Sequence, residues 1–146
     1  MTLQRIEFSI DINAPKEKVW DILWKETYND WAAEFSPGSR AVTDWQKGSK
    51  VYFVNSENEG MLSRISELVP NEYMSFTHLG MVNKGVEDVD SATAKEWSGA
   101  EETYTLSSIN TGTRLKVETD ITPEYREYME NAWPKALQRV KELAEK

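Results

Sequence analysis

The sequence predicts an α+β fold, a curved antiparallel sheet wrapped on a long C-terminal helix, and three observations carry that prediction. The first is the stretch 122–145. Its apolar residues run from Tyr125, Tyr128 and Met129 through Ala132, Trp133, Ala136 and Leu137 to Val140, Leu143 and Ala144. They recur at intervals of three and one, the stripe of a single helix face. The second is a series of alternating apolar and polar segments separated by short Gly, Pro and Asn turns, the signature of an antiparallel meander. The third is element order: one strand, two helices, six strands, one long helix. A stripe this long needs a broad apolar partner, which the inner face of such a sheet supplies.

Taken in order, a strand at residues 5–13 sets Ile6, Phe8, Ile10 and Ile12 on one face, with Glu7, Ser9 and Asp11 on the other. Ala14-Pro15 opens a helix with Pro at its first position, where the missing N–H costs nothing. Val19, Trp20 and Leu23 share its apolar face through Trp24. Thr27 caps a second, short helix at 28–35 that turns Trp31 and Phe35 inward. After the Ser36-Pro37-Gly38 turn, strands are expected at 39–44, 49–55, 61–68, 72–81, 100–109 and 113–121. In the second of these, Val51 and Phe53 lie on one side.

Segment 83–99 is too long for a tight turn. It is either a lid with Trp97 as its plug, or a local extension of the flanking strands, or a turn of helix over 92–97. In the last helix Thr122 is the expected N-cap and Pro123 the first helical residue. Pro134 sits inside the stripe and cannot donate to the carbonyl of Glu130. A kink or break between Glu130 and Pro134 is expected, or a short leading helix followed by a piece capped by Asn131.

The totals narrow the function. A chain of 146 residues is expected to form one domain, 1–146. Its net charge of −8 argues against a nucleic-acid partner and reads as solubility. The absence of Cys excludes disulfides, thiolate nucleophiles and Cys metal sites, and fits a reducing compartment. No targeting segment is expected, because residues 1–12 alternate instead of running apolar, and nothing approaches a membrane span. A cytoplasmic location is therefore expected. Glu87, Asp88 and Asp90 lack the glycine and terminal Glu spacing of a calcium loop and read as a solvated charge run. There is no G-x-S-x-G, H-E-x-x-H or Gly-rich phosphate loop. One His leaves little for a transition metal, and no metal or other cofactor is expected.

Alternation places Met74, Phe76 and His78 on the inner face of their strand, and Glu102, Tyr104 and Leu106 on the inner face of theirs. If Met81 pairs with Gly99, His78 lies directly across from Glu102. An imidazole and a carboxylate in an apolar hollow are either a satisfied structural pair or the raw material of acid/base chemistry and polar ligand recognition. A one-residue slip would turn Glu102 outward. From the helix, Tyr125, Met129 and Trp133 would face the same hollow, as core or as a ligand-contacting wall. Trp31, Phe35, Phe53 and Trp97 complete the candidate lining. The chain carries six Trp, many for its length, and some are expected to line more than a plain core.

Local signatures resemble the START-like (SRPBCC) helix-grip superfamily, and within it the branch named for the activator of the ninety-kilodalton heat-shock protein ATPase. The first strand running into Ala14-Pro15-Lys16-Glu17-Lys18-Val19-Trp20 is similar to that branch's opening. Gly60 followed by Ile65-Ser66-Glu67 and Pro70, then Gly112-Thr113-Arg114-Leu115, and finally Trp133, Leu137 and Val140-Lys141 resemble its hairpin, late strand and closing helix. Pro134 and the acidic segment 87–90 depart from the commoner pattern. The resemblance implies a cavity between sheet and helix, in a superfamily of lipid and hormone carriers, aromatic polyketide cyclases and co-chaperone domains. The reading that follows is binding of a small apolar or amphipathic molecule in that cavity. The alternatives are an interaction domain for a heat-shock ATPase, and a cyclase- or hydrolase-type enzyme using His78 and Glu102.

Overall fold

The computed structural model describes residues 3–146; Met1 and Thr2, the start of the alternating N-terminal stretch, lie outside them. Strand β1 (Gln4–Ile12) leads into α1 (Lys16–Trp24) and α2 (Tyr28–Ala32). Strands β2 (Arg40–Val42), β3 (Lys50–Val54), β4 (Gly60–Val69) and β5 (Tyr73–Asn83) follow. Then come β6 (Val86–Asp88), α3 (Ala92–Trp97), β7 (Glu101–Ile109), β8 (Gly112–Ile121) and α4 (Arg126–Ala144). Every strand pairing is antiparallel, in the order β1-β8-β7-β5-β4-β3-β2, with β6 attached to β5. The α+β architecture is the one expected, with helices gathered on the inner face of an open, curved sheet.

Segment 83–99 differs from a plain lid loop: both local alternatives are present in it. Lys84 and Gly85 take positive φ (51° and 82°), and this two-residue turn folds β6 back on β5 in the register Asn83↔Val86. Ser91 then caps α3, its hydroxyl accepting from Ala94 N at 3.1 Å. The acidic run is not simply solvated. Glu87 accepts from Lys50 Nζ at 3.1 Å and from the Tyr52 hydroxyl, and Asp88 accepts from the backbone N–H groups of Asp90 and Ser91.

The helix starts also correct the expectation. Pro15 is the N-cap of α1 rather than its first residue. Thr27 stands at the N-cap of α2 as expected, but its side chain does not cap; the hydroxyl donates backward to Ile22 O at 2.6 Å. Thr122 does not cap with its side chain either. Its buried hydroxyl has no partner, while its carbonyl accepts from Tyr125 N in a 3₁₀ turn, Pro123–Tyr125, that leads into α4. The break expected at Pro134 does not occur. α4 is continuous from Arg126 to Ala144, with Pro134 on its solvent side, where the carbonyl it leaves free can reach water.

Two registers carry most of the fold. β1 joins the last strand, and matching Arg–Asp pairs stand near its two ends: Arg5 opposite Asp120 and Asp11 opposite Arg114. Each guanidinium grips its carboxylate through Nε at 2.8 Å and Nη2 at 3.1 Å. Against this sheet α4 buries Trp133, Ala136, Leu137, Val140 and Ala144. On the other flank α1 drives Trp20, Leu23 and Trp24 into the concavity.

Asp120 also accepts from Glu101 N at 3.0 Å. Burial pushes its carboxyl up, but the Arg5 guanidinium and the Glu101 N–H outweigh that and hold it below the usual carboxylate range. A depressed carboxyl contributes stability above its unfolded pKa and loses it as pH falls through the folded value. Asp120→Asn should therefore destabilise the fold by about 1 kcal/mol near neutral pH, with the gap to the parent closing in strongly acidic solution. Urea unfolding at the two pH values measures this.

Candidate functional site

Between the sheet and α4 lies a hollow of about 350 Å³. Ten of the twelve residues singled out from sequence line it: Trp31, Phe35, Phe53, His78, Trp97, Glu102, Tyr104, Tyr125, Met129 and Trp133. Met74 and Phe76 do not. They face inward as expected but lie in the solid core, because Trp24 of α1 fills that part of the concavity. Its ring sits 5.4 Å from that of Phe76 and 4.6 Å from that of Tyr104. The same packing makes Tyr104 part of the floor of the hollow.

The walls follow from the elements. α2 presents Tyr28, Trp31 and Ala32, and the turn after it presents Phe35. α4 presents Trp133, which packs edge-on to Phe35 at 4.8 Å and stacks near Phe8 at 6.1 Å. Trp97 of α3 closes one end, its ring 5.6 Å from that of Tyr125 and 6.5 Å from that of His78. It lines the hollow from a short capped helix. Tyr125 and Tyr128 stand at the mouth, each nearly half exposed, and the Tyr128 hydroxyl donates to Phe35 O. Arg40 is the one Lys or Arg in the lining, and it has no carboxylate partner among the described residues. Its Nη1 donates to Asn55 O at 2.9 Å and its Nη2 to the side chain of Asn58.

The His78–Glu102 register is shifted by two residues from the one expected. Phe76 stands opposite Glu102, and His78 N donates to Ala100 O at 2.7 Å. A shift of two preserves the face, so the side chains still approach, diagonally, with Nε2 and Oε1 3.6 Å apart. Two further contacts were not foreseen. Ser63 Oγ lies 2.6 Å from His78 Nδ1, and the Tyr104 hydroxyl donates to Glu102 Oε2. Burial pushes the Tyr104 phenol well above its ordinary value, and the Glu102 charge, Tyr28 and the bond to Glu102 push it further. Burial and Glu102 likewise raise Tyr28. Both phenols are therefore neutral donors at any physiological pH.

The line Ser63–His78–Glu102 has the residue types of a nucleophile relay but not its access. Ser63 has no exposed surface and does not line the hollow, so its hydroxyl positions the imidazole and cannot meet a substrate. Its place depends on a bulge. Leu62 pairs with Gly80 and Ser63 with His78, leaving Leu79 unopposed. Beyond the bulge the inward residue is Met81, while Leu79 packs with Val54, Leu62 and Val82 in a separate cluster. Strict alternation could not find Met81. Gly80, where a Cβ would sit 2.4 Å from Asp88 O, is the only local trace of the crowding. Tyr28, Met61 and Tyr128 were missed as well. Tyr28 and Tyr128 belong to helical stripes already legible as apolar, and only the packing shows that they border space.

Residues 13–145 match the family described as "Activator of Hsp90 ATPase homolog 1-like protein". The chain belongs to this family. It also has close counterparts in fold among solved structures. A Mesorhizobium loti protein superposes with a TM-score of 0.70 at 19% identity, over 96% of each chain. The Aha1 dimer of Colwellia psychrerythraea gives 0.72 at 17% identity, over 97% of this chain and 96% of that one. A Chromobacterium violaceum protein gives 0.65 at 20% identity, over 97% and 98%. At these identities the likeness is one of fold, and it establishes the helix-grip architecture. No curated protein sequence matches the chain. No helix of the described residues is long and apolar enough to cross a membrane.

The Ser63 hydroxyl has no other acceptor among the described residues, so its proton is assigned to Nδ1 and the imidazole proton to Nε2. Ser63→Ala should leave a buried ring nitrogen unpaired and cost about 1–2 kcal/mol in urea unfolding. Imidazole ¹⁵N shifts should report the Nε2–H tautomer in the parent and a mixed population in the variant.

Proposed function

We propose that this chain binds a small amphipathic molecule in the hollow between its sheet and α4. The observation that carries the reading is the hollow itself: about 350 Å³ that the protein's own aromatics border but do not fill. A closed core would bring Tyr125, Met129 and Trp133 against the sheet. Trp133 does pack on Phe8 and Tyr104, but Tyr125 and Met129 border open space, with His78, Glu102 and Tyr104 as one cluster of polar groups in the lining and Arg40 with Asn55 as another. An apolar enclosure with a few convergent polar atoms is the usual form of a small-molecule site.

Denaturing release followed by mass spectrometry should find a small organic compound copurifying with the parent protein. Met129→Trp, which places a larger ring in the hollow, should fold with an unchanged circular dichroism spectrum and carry none. A parent protein that copurifies nothing and shows no thermal shift with any apolar compound would count against the reading.

The family's name favours a second reading, engagement of a heat-shock ATPase through the outer surface. Pull-down with that ATPase at physiological salt discriminates: capture by the parent and by Met129→Trp alike would support it, since an outer surface is indifferent to the filled hollow.

A further inference from the structure

We propose that the polar end of the bound molecule is a hydroxyl group, alcohol or phenol, seated between His78 Nε2 and Glu102 Oε1. The chain would then be a receptor for hydroxylated hydrophobes. The inference rests on the hollow being a binding site and names what that site selects.

The inner wall of the hollow presents one donor and one acceptor that do not satisfy each other. Nε2 and Oε1 are 3.6 Å apart, beyond hydrogen-bond range. The other atoms of both groups are occupied: Nδ1 by Ser63 at 2.6 Å, Oε2 by the Tyr104 hydroxyl. His78 is only 4% exposed, so Nε2 has no route to bulk water except through the hollow that it borders. Glu102 Oε1 accepts no hydrogen bond among the described residues. Neither atom is sealed from solvent, so whatever occupies the space beside them, water or ligand, completes their hydrogen bonding.

One oxygen placed about 2.8 Å from both atoms satisfies the pair. It must accept from Nε2–H and donate to Oε1. A hydroxyl does both with a single atom. An ether oxygen only accepts, an ammonium only donates, and a carboxylate only accepts while setting a second negative charge beside Glu102. A water molecule has the same complement, so the ligand hydroxyl replaces it with no loss of hydrogen bonds, whereas a ligand without the group either traps the water or strands the pair. The aromatic side chains that share the hollow with this pair, Trp31, Trp97, Tyr104 and Trp133, suit an apolar body attached to the hydroxyl.

Equilibrium dialysis with β-naphthol, β-naphthyl methyl ether and naphthalene tests this. The naphthol should bind about 10- to 100-fold more tightly than its methyl ether, the range of a hydrogen bond to a charged group. Its bound form should shift the His78 Nε2–H proton resonance more than the methyl ether or naphthalene does. Glu102→Leu should lose the preference for the naphthol over its methyl ether. Should that variant not fold, the three compounds on the parent protein still decide. Equal binding of naphthol and ether would overturn the hydroxyl site and leave the binding hollow standing. Failure of all three to bind would overturn both.

Discussion

The near-perpendicular contact between Trp24 and Tyr104, ring centroids 4.6 Å apart, divides the concave face of the sheet into a filled half and an open half. A curved sheet of eight strands offers more inner surface than one helix can cover. α4 covers the middle. α1 and α2, inserted between β1 and β2, bring Trp20, Trp24 and Trp31 against one flank, and there Met74, Phe76 and Leu106 are sealed into core. The other flank receives only the edge of α2 and the single turn of α3 with Trp97. What remains between them is the hollow. Its existence is a consequence of where the bulky residues of α1 stop, and the family resemblance merely says that such a space is common in this architecture.

The polar cluster on the wall follows from the same division. A carboxylate facing an apolar space is costly unless it is hydrogen-bonded. Glu102 has Tyr104 for one oxygen, and Tyr104 is fixed in place by Trp24. His78 is fixed by backbone bonds on both sides, His78 N to Ala100 O at 2.7 Å and Gly99 N to His78 O at 2.9 Å, and by Ser63 through its ring. Each group is thus held by neighbours that are themselves fixed in the core, and the pair is held slightly too far apart to close on itself. Preorganised groups of this kind select a ligand with little reorganisation on binding.

Much of this was legible in the sequence. The interval pattern from Tyr125 to Ala144 required a helix packed along one face, and alternation in 72–81 and 100–109 put His78, Glu102 and Tyr104 on the inside without any knowledge of register. The two-residue error in pairing was harmless because side-chain direction repeats every two residues. What alternation could not reveal is where the period fails. The bulge at Leu79 reverses the faces beyond it, so Met81 was assigned nowhere, and Met74 and Phe76 were assigned to the hollow because nothing in their own strand shows that Trp24 lies on them. Helix starts misled for a related reason. Thr27 and Thr122 have the residue type of a cap, yet one hydroxyl turns back to Ile22 and the other is left without a partner, choices made by tertiary packing and not by local preference.

Pro134 shows how a local rule can be correct and its consequence still avoided. The residue does remove a hydrogen bond to Glu130 and does crowd that turn. Both effects fall on the solvent side of α4, where the freed carbonyl is hydrated, while the residues flanking it, Trp133 and Ala136, carry the buried face. Relocated one position earlier, the same proline would occupy the place of Trp133, remove an indole from the wall of the hollow, and direct the unpaired carbonyl inward. The rule that a proline breaks a helix is therefore a statement about the environment of one carbonyl, and in this chain that environment is water.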